Sequence, residues 1–253
     1  MALCGLNPSR IIPRPVFSAA LNAAIAVLLA PCCACCDTPL EDPLSGAVCE
    51  SCWNRVQISS GPFCGTCGDT VNTWREGTLC GRCQRAPRAI TMGRAIGPYE
   101  GTLRQILHTL KYDKRRSVAK RLGQHMARAG AEVLHGADLV VPVPLHVVRL
   151  YRRGFNQAAE LAAHVGIPLA SVLRRRRATV TQTDLPEFER FSNVREAFAL
   201  RRGARVSGQV IVLVDDVSTT GATLDACARV LLAAGAKEVR ALTAARAASR
   251  LPV

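Results

Sequence analysis

Aromatic residues are scarce in this chain, 4% of 253, and lysine occurs only four times. None of Lys111, Lys114, Lys120 and Lys237 follows a glycine, which excludes the GxxxxGK[ST] loop of a P-loop nucleotidase. GxGxxG is absent as well, so no dinucleotide fingerprint is present. Long apolar runs are also missing. The stretch from Val16 to Ala30 is broken by Asn22 and is too short to span a bilayer, so no membrane span is expected. Arg10 and Arg14 ahead of it give the outline of a secretion signal, but Pro31 stands where a small cleavable residue belongs. We read residues 1–31 instead as an N-terminal helix, capped near Ser18 and burying Leu21, Ile25 and Leu28 against the next domain.

Acidic residues are few, 19 against 33 Lys and Arg, and the imbalance is local. Residues 1–83 hold five basic and six acidic side chains, and the remainder holds 28 and 13. The surplus therefore belongs wholly to the second part of the chain, as expected for a partner rich in phosphate.

Cysteine divides the chain at the same place, with eleven of twelve before residue 84. The pairs Cys49/Cys52, Cys64/Cys67 and Cys80/Cys83 each have CxxC spacing, and CCACC offers a fourth as Cys32/Cys35 or Cys33/Cys36. One CxxC turn sets two thiolates on a metal ion, and two turns close a tetrahedral site. Four pairs predict a double zinc ribbon over residues 32–84 holding two structural Zn2+ ions. Thiolates used in this way fit a reducing compartment, so a cytoplasmic location is expected.

The most informative stretch is VIVLVDDVSTTGAT, Val210 to Thr223. Five apolar, mostly β-branched residues read as a strand buried on both faces, running into Asp215 and Asp216. A turn of Ser218, Thr219, Thr220 and Gly221 follows. A helix then carries an apolar stripe of Leu224, Ala228 and Leu231 and is stopped near Gly235. Such a turn offers backbone N–H groups, hydroxyls and a helix N-terminus to one phosphate. The acids just before it suit the hydroxyls of a sugar bearing that phosphate.

A second buried strand, Leu139 to Val141, ends in Pro142-x-Pro144. A loop with Arg149, Arg152 and Arg153 follows, then a helix opening at Phe155-Asn156-Gln157. Further elements are a strand and turn over 86–101, helices over 102–112 and 117–134, a short strand over 168–175 and a final strand from Glu238 to Thr243. Arg174 to Arg177 form an unbroken basic run. His108, His125 and His135 read as surface or helix-end residues.

VLVDDVSTTGAT resembles the phosphoribosyl-pyrophosphate (PRPP) loop of type I phosphoribosyltransferases. Leu110-Lys111-Tyr112, PVPL at Pro142 to Leu145, RGFNQ at Arg153 to Gln157, and Gln182, Leu185, Arg190, Asn193 and Phe198 narrow the resemblance to the ComF family of competence-related proteins. That resemblance implies an α/β phosphoribosyltransferase fold over residues 85–253, a parallel sheet flanked by helices, behind the ribbon. Asp215 and Asp216 would hold the ribose as catalytic residues, and Ser218, Thr219, Thr220, Gly221, Ala222 and Thr223 would wrap the 5′-phosphate. Arg153 would touch pyrophosphate and Mg2+ would accompany PRPP, whereas Arg149 and Arg152 read as a solvated face. The family's C-G-x-P-L motif selects Cys33 and Cys36 as the first pair. Asp37 stands where that motif has glycine, which predicts a distorted knuckle. Lys111 at a helix end reads as satisfying the helix dipole. Residues 179–198 read as the loop that closes over PRPP.

The resemblance also brings single-stranded DNA and a competence helicase among the partners, for a role in natural transformation. An active phosphoribosyltransferase with an unidentified acceptor is the competing reading. Thr219 occupies the place where purine-salvage relatives carry an acidic general base, so purine salvage is not expected.

Overall fold

The computed structural model describes residues 16–72, 77–112, 115–176 and 197–247. Its centre is a four-stranded parallel sheet of β1 (Gly93–Pro98), β2 (Leu139–Pro142), β5 (Val210–Ser218) and β6 (Glu238–Arg246), in the order β1-β6-β5-β2. Two short strands, β3 (Leu173–Arg175) and β4 (Phe198–Leu200), pair antiparallel apart from it.

Alternation along β5 explains why it lies in the middle. Val212 and Val214 enter one core with Ile106, Leu122 and Leu161. Ile211 and Leu213 enter the other with Leu224, Ala228 and Leu231. Successive side chains of a strand point to opposite faces, so a continuous apolar run is what a strand covered on both sides requires. Each such side chain contributes roughly 1.5–3 kcal/mol on burial.

Helices α4 (Gly101–Tyr112), α5 (Ser117–Ala129) and α8 (Gln157–Ala162) line the first face. Helix α9 (Ala222–Ala233) lines the second and ends before Gly235, at φ 92°. The single helix expected over 117–134 is instead α5 followed by α6 (Ala131–Leu134), broken at Gly130. A Cβ there would lie 2.4 Å from Leu242 Cδ1, so glycine lets the chain pass close under β6 and costs the helix its continuity.

Ahead of the sheet lie α1 (Val16–Leu29), α2 (Glu50–Asn54) and α3 (Gly81–Arg85). The expected burial of α1 is not found: Leu21 is 49% and Leu28 80% exposed, and Ile25 is half-buried. Ser18, expected near the cap, lies within the helix. Asn22, which interrupts its apolar run, is what fastens it. The Asn22 amide donates to Asp42 and accepts from Leu44 N at 3.0 Å.

Candidate functional site: an acid pair, a phosphate-sized turn and two thiolate clusters

The structure brings together Cys33, Cys36, Cys49 and Cys52 in one group, and Cys64, Cys67, Cys80 and Cys83 in another, with the sulfurs of each within 4.8 Å. Cys32 is exposed, and neither it nor Cys35 joins the first group. Sγ–Sγ distances of 3.8 Å (Cys33–Cys52), 3.7 Å (Cys36–Cys49) and 3.5 Å (Cys67–Cys80) are far too long for disulfides. They match the edge of about 3.8 Å in a tetrahedron with zinc–sulfur bonds of about 2.3 Å.

Backbone N–H groups of Cys35 and Cys49 reach Cys33 Sγ, and that of Cys80 reaches Cys64 Sγ at 3.3 Å. Against the cost of burial, N–H groups of Cys67, Cys80 and Thr66 hold the Cys64 thiol down to about 7, ready to bind metal as thiolate. The knuckle expected to be distorted at Asp37 is regular. Asp37 takes φ 57° and donates its N–H to Cys33 O at 2.9 Å, as Gly68 does to Cys64 O at 3.1 Å. A short polar side chain tolerates this left-handed conformation.

Beside the second cluster, β5 runs further than the apolar residues suggest and includes Asp215, Asp216 and Ser218. The chain turns at Thr219-Thr220-Gly221, with Gly221 at φ 77° heading α9. The turn encloses a hollow lined by Asp215, Ser218, Thr219, Gly221, Ala222 and Thr223. Thr220 is buried, and its hydroxyl accepts from Ala222 N at 3.4 Å. Asp225, buried in the first turn of α9, accepts from Ala89 N at 2.6 Å and Arg229 Nε at 2.9 Å. It ties the linker from the ribbon to the helix behind the turn.

The acids are half-buried neighbours. Burial first, then the charge of Asp216, pushes the Asp215 carboxyl up to about 7, although the N–H of Asp216, Lys111 and Arg175 pull the other way. Lys111 Nζ lies 3.1 Å from Asp216 Oδ2. The helix-dipole reading of Lys111 therefore gives way to a contact with the acid pair itself.

Two further expectations change. The segment after β2 is not a bare loop: Val147–Arg153 form helix α7, capped by His146 Nδ1, which accepts from Val148 N, and closed by Gly154 at φ 80°. Arg153 donates to Gln157 Oε1 at 3.0 Å and stacks over Tyr112. The four-arginine run is divided by the pleat of β3. Arg174 and Arg176 are exposed, while Arg175 turns inward over Phe198, 5.3 Å from the ring centre. Burial, and then the charge of Arg149, lowers the Arg175 pKa, whereas Cys227 and Asp215 draw it up. Arg149 is half-buried and its charge reaches Arg175, whereas Arg152 is exposed.

Arg177, Gln182, Leu185, Arg190, Asn193 and residues 179–196 of the expected closing loop lie outside the described residues, and the loop's last residue, Phe198, is already in a strand. Phe198 is buried on β4. His125 is not a surface residue but stacks on Trp53 with centroids 5.5 Å apart.

Comparison with known families defines the class. A phosphoribosyl transferase domain matches residues 123–253 and a double zinc ribbon domain matches residues 24–84. The chain is 30% identical over 211 residues to Competence protein F of Haemophilus influenzae, covering 79% of this chain and 90% of that protein. It is 32% identical over 206 residues to the DNA utilization protein YhgH of Escherichia coli, covering 76% and 87%. A solved structure, the allosteric regulatory enzyme of purine biosynthesis, aligns with a TM-score of 0.34 at 30% identity, over 51% of this chain and 25% of that one.

The molecule is thus a phosphoribosyltransferase-fold protein with a double zinc ribbon. More narrowly, the chain belongs to the ComF family, the family of Competence protein F. Its two Cys4 groups suit structural zinc. Among the described residues no helix is long and apolar enough to cross a membrane.

Proposed function

We propose that the protein binds PRPP and works on single-stranded DNA during natural transformation, in the cytoplasm, alongside a competence helicase. The observation that carries the PRPP part is that Asp215, next to Asp216 on β5, lines the hollow of the Thr219-Thr220-Gly221 turn. Asp215 and Asp216 accept the ribose hydroxyls. Ser218, Thr219, Thr220, Gly221, Ala222 and Thr223 take the 5′-phosphate on N–H and hydroxyl groups at the head of α9. Arg153, with Arg149 and Arg175, supplies positive charge toward the pyrophosphate. Magnesium enters as part of the substrate, carried on that pyrophosphate. The domain boundaries of this reading are 1–31, 32–84 and 85–253.

The test is calorimetric titration with PRPP. Asp215→Asn with Asp216→Asn should weaken binding by about 1–3 kcal/mol, the scale of hydrogen bonds to charged groups. Unchanged affinity would mean that the turn holds something other than a phosphorylated ribose. Because the Asp215 carboxyl is held up to about 7, its ionised, accepting form gains population as pH rises. Affinity should therefore climb between roughly pH 6 and 8 in the wild type and stay flatter in Asp215→Asn. Stability runs the opposite way. A raised folded pKa favours the folded state below it, and that contribution is lost as pH rises from the ordinary value of 3.8 through about 7.

The DNA part rests on Tyr151, 90% exposed on α7 among Arg149, Arg152 and Arg153, and on relatives named for competence and DNA utilization. An exposed ring between cations is a stacking platform that tolerates any base. An active phosphoribosyltransferase with another acceptor is the second reading, favoured by the acid pair and tested by pyrophosphate release from PRPP across a panel of bases.

A further inference from the structure

Lys111 closes the Leu110-Lys111-Tyr112 end of α4, and neither PRPP binding nor DNA binding as proposed gives it a task. A lysine that only answered its own helix dipole would stay near the last carbonyls of that helix. This one leaves the helix and crosses to β5. Its ammonium sits 3.1 Å from Asp216 Oδ2, with the two side chains 13% and 14% exposed, and 5.7 Å from the centre of the Tyr99 ring.

Adjacent carboxylates in a half-buried site repel each other, and a magnesium ion held by one or two carboxylates plus substrate phosphates is the common remedy. The acids of this chain do not suit such an ion. Asp215 Oδ1 accepts the N–H of Asp216 at 2.9 Å, and Asp216 Oδ2 is taken by the ammonium. Lys111 stands in direct contact with Asp216, and its charge and that of Arg175 both oppose the charge of Asp215. A divalent ion bridging the pair would have to displace Lys111 from a pocket where its charge is poorly hydrated.

We propose that Lys111 is the resident counter-ion of the Asp215–Asp216 pair, standing where a divalent cation would otherwise sit, so that the acids hold their ligand without a metal of their own. The compact ammonium is a point charge suited to this place. It engages one oxygen of Asp216 and leaves Oδ1 for a sugar hydroxyl. The identity of that sugar rests on the PRPP reading, whereas the exclusion of metal does not.

The experiment uses the full-length, zinc-loaded protein in metal-depleted buffer without chelator, with Mn2+ as the probe and electron paramagnetic resonance as the readout. Wild type should bind no Mn2+ beyond the level of the Asp215→Asn, Asp216→Asn protein. Lys111→Met and the polar Lys111→Gln should each gain one Mn2+, and Asp216→Asn added to either should remove it. The affinity for Mn2+ should rise by at least about tenfold over wild type, the scale of one charged hydrogen bond.

In a second arm, the affinity of Lys111→Met for PRPP should depend on Mg2+ about tenfold more steeply than that of wild type. The proposal is overturned if wild type itself binds Mn2+ at the acids. It is equally overturned if both Lys111 variants, folded and holding two zinc ions, gain no Mn2+. Should PRPP fail to bind wild type, the substrate reading falls while the Mn2+ arm still decides the role of Lys111.

Discussion

The two thiolate clusters repeat one spacing, Cys33-Cys36-Cys49-Cys52 and Cys64-Cys67-Cys80-Cys83, and the fold fastens them by opposite means. The first is held by apolar packing. Cys33, Leu40, Val48 and Trp53 belong to the same core as Leu107, Leu122 and Met126. Outside it, Arg121 lies 4.9 Å over Trp53 and pairs with Glu50 at 2.7 Å. The second keeps a small core of its own, Cys64, Cys67 and Cys83, and is tied on by charge. Arg246, register partner of Ser218 at the end of β6, pairs with Asp69 and donates to Cys67 O at 2.9 Å.

The matching knuckle residues show the difference. Asp37 is accommodated in the first, but a Cβ on Gly68 would lie 2.3 Å from Gly93 O. The turn alone accepts either residue; only contact with β1 demands glycine. One ribbon is therefore docked by apolar side chains against α4 and α5, and the other is built against β1 and β6, the latter paired with the strand that carries the phosphate-sized turn.

The largest effect should come from removing one ligand of each cluster. Cys49→Ser and Cys64→Ser should each lower the zinc content from two to about one, since metal binding is folding free energy in such ribbons. PRPP affinity should fall by about tenfold or more in Cys64→Ser, because Arg246 and Ser218 lose their support, and by less than about threefold in Cys49→Ser. Elemental analysis with calorimetry reads both. Equal losses of affinity would erase the contrast between the ribbons.

A smaller effect should separate the two arginines. Asp69 and Arg246 are 19% and 13% exposed, so Arg246→Ala leaves a half-buried carboxylate with Arg82 alone and should cost about 2–4 kcal/mol. Arg121→Ala removes a pair exposed at 35% and 71% and should cost about 1 kcal/mol. The two should also differ in acid. Burial alone would raise the Asp69 pKa, but Arg246 and Arg82 more than reverse this and hold it below 3.8. A lowered folded pKa gives stability that is present above the ordinary value and lost as pH falls through the folded one. Arg246→Ala should therefore be less stable than wild type at neutral pH but lose less stability as pH falls below 3.8, so that the gap between the two narrows in acid. The gap to Arg121→Ala should not narrow through Asp69. Urea melts between pH 3 and 7 measure both; a wild-type to Arg246→Ala gap that stays constant with pH would mean that Arg82 alone sets the Asp69 charge.

What the chain shows locally is legible in the sequence, and what it assembles over distance is not. Val210 to Val214 announce the central strand because burial on both faces leaves a continuous apolar run, and the CxxC pairs announce the clusters by spacing alone. Lys111 is misread because its partner, Asp216, is remote in sequence and no periodicity connects a helix end to a strand end. The same holds for Asp225, whose partner at Ala89 lies 136 residues away. The divided arginine run is within reach, since a strand running into Arg174 must turn alternate side chains inward. Gly130 is the visible sign of the break between α5 and α6.

The smallest effect concerns α1, which belongs with the first ribbon. Val27, Leu28 and Leu29 do not hold it, as they are 75–82% exposed. Asn22 does, through Asp42 on one side and Leu44 N on the other, just at the turn Pro43–Ser45. These bonds are partly open to solvent, so Asn22→Ala should cost about 1 kcal/mol or less. That is too little to shift a global melt appreciably, but it acts on one helix only. Amides of residues 16–29 should exchange with solvent about fivefold faster, the ratio for a local loss of about 1 kcal/mol. Exchange around Gly68, β6 and the Thr219-Thr220-Gly221 turn should not change, because that ribbon is fastened elsewhere. Unaltered exchange in α1 would show that packing and not Asn22 holds the helix. Faster exchange at the turn would mean that the first ribbon, too, reaches the site.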